Sequence, residues 1–182
     1  MAASGDKAPY ISLPNALSLF RILVTPFFLY FSYTQQNFIA LSLFVLAALS
    51  DWGDGFLARY LKQESILGEL LDPLADKFLL VASFIGFYFL GKIPLWVALV
   101  VVSRDIFLLL AGLIILMKKY DFRMKPARLS KFNTLLQILY IAAISLNSPE
   151  VLTDTLAYVA CLTTVLSTIL YVHVFKTWYH TQ

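Results

Sequence analysis

Six apolar stretches of about twenty residues alternate with short polar breaks along the chain, at roughly 15–33, 38–60, 69–90, 94–117, 129–146 and 151–175. A helix needs about 20 apolar residues to cross the hydrocarbon of a bilayer, and it satisfies its backbone polar groups internally. Each stretch therefore predicts one helix. Barrel strands would alternate polar and apolar residues over about ten positions. The run LLLAGLIILM at 108–117 does not alternate. The breaks TQQN at 34–37, GKIP at 91–94 and NSPE at 147–150 carry turn chemistry.

Composition strengthens this reading. Of 182 residues, 60% are hydrophobic and 14% are charged, and the mean hydropathy is +0.78. An ordinary soluble domain is about 25% charged, and a disordered chain needs low hydrophobicity. The expected architecture is all-α and polytopic: six transmembrane helices in a single domain over 1–182, with 1–14 a short cytoplasmic segment. Fourteen Lys and Arg against eleven Asp and Glu leave +3, too little to imply a nucleic-acid partner. The lone Cys161 excludes an internal disulfide. Cations gather at 59–62, 118–131 and 176, whereas the alternate breaks hold only Lys92. The positive-inside rule then places both termini and the basic loops in the cytoplasm. No cleavable leader is evident before the first stretch, so a bacterial inner membrane is the expected location. The mitochondrial inner membrane is the alternative, because a processed chain would read the same way.

The informative residues are charges inside the apolar stretches. Asp51 and Asp54 interrupt the second, Asp72 and Asp76 open the third, and Arg104 and Asp105 sit within the fourth. A charge at the centre of a membrane helix costs about 2.5–3.5 kcal/mol, so four aspartates cost on the order of 10 kcal/mol. Surface pairing with Arg59 and Lys77 would leave two carboxylates over. Asp51, Asp54, Gly55 and Ala58 fall on one helical stripe, and so do Gly68, Asp72, Ala75 and Asp76. The short connection predicts two antiparallel neighbours, each presenting two carboxylates flanked by small residues. Converging carboxylates repel and protonate unless a cation joins them. Without His or Cys nearby, the all-oxygen set suits a hard cation, Mg²⁺ or Mn²⁺ before Ca²⁺. Mg²⁺ on carboxylates commonly completes its shell with substrate phosphates, and two metals about 4 Å apart can clamp a displacement at phosphorus. Phosphoryl-type transfer at a membrane surface is the chemistry suggested.

Residues 51–76 read DWGDGFLARYLKQESILGELLDPLAD and match D-x2-D-G-x2-A-R-x8-G-x3-D-x3-D at every fixed position. The stretch resembles the CDP-alcohol phosphotransferase family. The opening LPNALSLFRI and the SRD of the fourth stretch extend the resemblance along the chain. The resemblance implies that fold and a homodimer. It also implies that Asp51, Asp54, Asp72 and Asp76 hold two divalent cations, Mg²⁺ or Mn²⁺. Asp76 would be the general base as well, and Gly55, Ala58, Arg59 and Gly68 would bind the CDP-linked lipid donor. An acceptor hydroxyl would attack the lipid-side phosphorus and CMP would leave.

Two kinds of relative use CDP-diacylglycerol with a phosphate-bearing acceptor. Phosphatidylglycerophosphate synthases take glycerol 3-phosphate, and CMP-forming cardiolipin synthases take phosphatidylglycerol. Arg104, Arg128 and Lys131 are the candidates for the acceptor phosphate. Successive helical residues point about 100° apart, which disfavours a simple pair between Arg104 and Asp105. Phosphatidylglycerophosphate synthases typically show S-R-E and a second Arg eight residues after the first. Here the sequence is SRD, and the later position is Gly112. That departure, with ARLSKFNTLLQ at 127–137, looks more like a cardiolipin synthase. Outside enzymes, a small ion channel or transporter also buries carboxylates, but more often with inverted repeats, which are absent here. A helix-packing protein would explain the glycines and not the aspartates. Arg21 in the first stretch could contact donor phosphate or snorkel to the headgroups.

Overall fold

The computed structural model describes residues 13–61, 66–117 and 128–180, with side chains over 19–50, 77–112 and 129–174 and at Lys176. Those residues form six α-helices and no strand: α1 Leu13–Tyr33, α2 Asn37–Leu61, α3 Ile66–Phe89, α4 Leu95–Met117, α5 Arg128–Ser145 and α6 Glu150–His180. Each apolar stretch has become one helix. The last runs further than its apolar stretch, through the tail to His180.

The three short breaks close in one way. Gln35, Gly91 and Asn147 adopt positive φ of 61°, 69° and 51°. The next amide in each turn reaches back five residues: Gln36 N to Phe31 O at 2.9 Å, Lys92 N to Phe87 O at 2.9 Å, and Ser148 N to Ala143 O at 3.0 Å. This left-handed cap satisfies the last carbonyls of α1, α3 and α5 and reverses the chain within a few residues. It yields three antiparallel hairpins, α1–α2, α3–α4 and α5–α6. The hairpins assemble around α3, which packs on α1, α4 and α5, while α6 packs on α4 and α2 on α5. Their closed turns define a tight-turn end. The Leu61 and Ile66 termini of α2 and α3 mark the opposite, signature end.

Near the tight-turn end the core is aromatic. Phe28 of α1 wedges between Phe44 of α2 and Phe87 of α3, with ring centroids 5.3 and 5.6 Å away. Phe84 stacks on Tyr140 of α5 at 6.0 Å. At Gly86 the α1 and α3 backbones come so close that a β-carbon would collide with the Leu29 side chain. Lys92 caps this end: Nζ donates to the Ser32 carbonyl at 3.1 Å and lies 5.6 Å from the Phe87 ring. Burial lowers the Lys92 pKa from its ordinary value.

Outward faces are apolar along the bundle, with Leu23 and Phe27 of α1, Leu99 and Leu110 of α4, and Leu162 and Ile169 of α6 all more than half exposed. Among the described residues, Leu95–Gly112 and Glu150–Val174 are long and apolar enough to cross a membrane. The other apolar segments are shorter: Leu19–Tyr33, Asn37–Ser50, Lys77–Phe89 and Leu129–Ser145.

Candidate active site

Helix α2 carries Asp51, Asp54, Gly55, Ala58 and Arg59, and α3 carries Gly68, Asp72 and Asp76. The helical backbone fixes Asp51 and Asp54 at i, i+3 and Asp72 and Asp76 at i, i+4, the spacings that share a face. The side chains of these eight residues, and that of Arg128 at the start of α5, lie outside the described residues. Described side chains begin next to them, at Ser50 and Lys77.

A cavity of about 160 Å³ adjoins this segment, lined by Arg21 of α1, Phe44, Ala47 and Ala48 of α2, Lys77, Leu79 and Leu80 of α3, and Thr134 and Ile138 of α5. Ala47 and Ala48 precede Asp51 by about one turn, and Lys77 follows Asp76 directly. Arg21 is only 2% exposed. A snorkelling arginine would keep its head in water, and this burial speaks against that reading. Two cationic side chains thus line a cavity walled otherwise by Thr134 and apolar residues, a setting that favours an anionic guest.

Behind the cavity, charge passes from α3 into α4. Lys77 Nζ stands 3.4 Å from Asp105 Oδ1, and Arg104 Nη1 donates to the same oxygen at 2.5 Å. The expected divergence of Arg104 and Asp105 is corrected here. Neighbouring positions do point apart, but the arginine stem is long enough to bend back. Arg104 Nη2 reaches Ser130 Oγ of α5 at 2.9 Å and Ser167 Oγ of α6 at 3.2 Å. One guanidinium thereby links three helices while being 3% exposed, and Asp105 is 0% exposed. Such a buried group is tolerable because its fixed fork meets several acceptors at once. Arg104 Nε and Asp105 Oδ2 have no hydrogen-bond partner among the described residues.

The acceptor candidates therefore separate. Arg104 is enclosed and already engaged, whereas Lys131, beside the Ser130 that holds it, is exposed. A β-carbon at Gly112 would meet nothing within 4 Å among the described residues.

One part of the polar interior went unread. Asn133 of α5, fully buried, accepts from the Thr163 and Thr164 hydroxyls of α6, each at 2.8 Å. Gln137 Nε2 lies 3.4 Å from Thr164 Oγ1. Ser130, Asn133 and Gln137 stand at i, i+3 and i+7, so a polar stripe was visible within an apolar stretch. It pairs with Thr163, Thr164 and Ser167, the hydrogen-bonding seam expected where two helices meet away from water.

The family model for CDP-alcohol phosphatidyltransferase matches residues 11–169, taking in the described parts of α1 to α5 and most of α6. The chain belongs to the CDP-alcohol phosphatidyltransferase family. Individual family members agree. It is 35% identical over 164 residues to the cardiolipin synthase (CMP-forming) of Rattus norvegicus, covering 81% of this chain and 54% of that protein. It is 36% identical over 154 residues to the Homo sapiens protein of the same name, covering 76% of this chain and 51% of that one. It is 33% identical over 158 residues to the CDP-diacylglycerol–glycerol-3-phosphate 3-phosphatidyltransferase of Aquifex aeolicus (strain VF5), covering 82% and 88%. The chain thus spans about half the length of the mammalian relatives and most of the bacterial one. The aspartate signature lies inside the segment that defines the family.

Proposed function

We propose that this chain is a CMP-forming phosphatidyltransferase of phospholipid synthesis. It moves the phosphatidyl group of CDP-diacylglycerol to phosphatidylglycerol, yielding cardiolipin and CMP. The observation that carries this reading is the full signature on α2 and α3, beside a cavity lined by Arg21 and Lys77. The helices are six membrane spans, with termini and site on the cytoplasmic side. In support, the outward faces are apolar, which would drive aggregation in water and suits lipid. The polar side chains turn inward, as ionisable groups in membrane helices do.

The donor set fits hard divalent cations, being four carboxylates at helical spacing without His or Cys among them. Asp51, Asp54, Asp72 and Asp76 would hold two such ions, Mg²⁺ or Mn²⁺, which supply charge neutralisation at the diphosphate. Arg59, with Gly55, Ala58 and Gly68, binds the nucleotide side, the small residues leaving room for it. Asp76 takes the proton of the acceptor hydroxyl as its oxygen forms a bond to the lipid-side phosphorus. The bond from that phosphorus to the bridging oxygen breaks, and its electron pair leaves with CMP. Arg21 and Lys77 add positive field beside the reacting phosphates, where charge accumulates. Arg128 and Lys131 serve the acceptor side, with Arg104 holding the Ser130 beside Lys131, and the active unit is a homodimer.

The acceptor assay decides between the two family chemistries. Purified protein receives labelled CDP-diacylglycerol, a divalent cation and one acceptor at a time. Cardiolipin should form with phosphatidylglycerol, and chelation should stop CMP release. Efficient product from glycerol 3-phosphate alone would overturn the choice of acceptor. That second reading is favoured by the similarity covering 88% of the Aquifex aeolicus protein.

A further inference from the structure

A second hollow opens on the opposite side of Arg104 from the aspartate helices. It is a groove of about 490 Å³ between α4 and α6, lined by the apolar Val100, Phe107, Val165 and Ile169 and by the polar Ser103, Arg104, Thr164 and Thr168. Phe107, Val165 and Ile169 are 46%, 46% and 59% exposed, so the groove opens outward. Among the described residues, its two helices hold the windows long and apolar enough to cross a membrane. Hydrocarbon is the medium that such an opening meets.

We propose that this groove seats an acyl chain of the phospholipid acceptor, and that it is what selects a lipid over a small soluble alcohol. This inference rests on the phosphatidyl transfer argued above. The donor is an unsuitable occupant, because its signature residues lie on α2 and α3, and neither helix lines the groove. The polar lining explains the choice of an anionic lipid. Arg104 is buried there with Nε unmatched among the described residues, and its Nη2 bonds the serine preceding the exposed Lys131. A chain lying along α4 and α6 brings its phosphodiester to that cationic corner. Ordinary boundary lipid needs no guanidinium beneath it.

Ile169→Trp and Val165→Phe fill the groove without touching the Arg104 contacts. Purified protein in phosphatidylcholine vesicles is given CDP-diacylglycerol with either dioleoyl- or dihexanoyl-phosphatidylglycerol. The apparent KM for the long-chain acceptor should rise roughly tenfold, the effect of withdrawing about two methylenes from an apolar slot. The KM for the donor and for the short-chain acceptor should hold. Leu23→Trp, on the outward face of α1, should change neither. An unchanged long-chain KM, or an equal rise for the donor, overturns the inference. Photolabelling keeps the question decidable if the filled variants fold poorly. In the wild-type protein, phosphatidylglycerol with a diazirine near its chain end should label 165–169, and unlabelled phosphatidylglycerol should displace it. Displacement as effective by phosphatidylcholine or by CDP-diacylglycerol would sink the proposal. Absence of CMP release with every acceptor is a different failure, that of the transfer reading itself.

Discussion

At the tight-turn end, Phe28, Phe44 and Phe87 interlock without a polar atom between them. Toward the signature end the interior is polar: Arg21 of α1, Arg104 and Asp105 of α4, and Asn133 and Gln137 of α5 are buried, with the half-buried Lys77 of α3 reaching in to Asp105. Both regions are buried, but burial does opposite work in each. Among the aromatic rings it maximises dispersion contact, and the packing is tolerant of neither gaps nor excess volume. Among the charged groups it raises the cost of every unmatched atom, so each side chain must be held by another. The fold can therefore be stable through one half and reactive through the other.

The sharpest way to test that division is to remove chemistry without removing packing. Asp76→Asn keeps the size of the side chain and its place on α3. Asp76 being the proposed base, CMP release should fall by about 10²–10⁴. Circular dichroism and thermal unfolding in detergent should match the parent. Near-normal turnover would remove Asp76 from the role of base.

Asp105→Leu strikes between the two halves. It strips Lys77 and Arg104 of a shared carboxylate and leaves a buried guanidinium on hydroxyls alone. Breaking a buried pair from one side costs about 3–5 kcal/mol, whereas replacing every partner by apolar groups is close to neutral. Reversible unfolding should show that loss for Asp105→Leu, and much of it should return in the triple variant with Lys77→Met and Arg104→Met. A stable single variant would mean that the cluster does not hold α3 to α4.

Phe28→Ala is the mirror of Asp76→Asn. The ring it removes contacts two helices at once, and truncation should cost about 3 kcal/mol through the cavity left behind. Turnover per folded molecule should stay near the parent value. A loss of kcat larger than the loss of folded protein would show that the two halves are coupled.

What the sequence made legible follows the same line. Six helices could be read because lipid-length apolar runs leave few alternatives, and the structure has one helix for each. The aspartates stood out because charge is scarce in such runs. Arg104 was harder. Its neighbour Asp105 is angularly remote in an ideal helix, and only side-chain length brings them together. The α5–α6 seam escaped because serine, threonine, asparagine and glutamine barely disturb hydropathy. Their importance emerges from pairing across helices, which spacing along one chain does not display. Six spans are legible in the chain, yet only α4 and α6 hold a described window that crosses a membrane by length and apolarity alone.

The smallest effect lies in the three caps, which also supply the cleanest contrast with the packed interior. Gly91 has φ of 69°, and a β-carbon there would touch nothing within 4 Å. Any cost of Gly91→Ala is then backbone strain alone, about 1 kcal/mol for an L-residue in the left-handed region. Gln35 and Asn147 already bear that strain in the equivalent turns. Gly91→Asn should cost less than Gly91→Ala, because asparagine enters this conformation more readily. Unfolding midpoints should rank glycine, asparagine, alanine, with CMP release unchanged throughout. If alanine matched glycine, the turn would be free to relax and the α3–α4 hairpin would owe its closure to Lys92 and the Ser32 carbonyl instead.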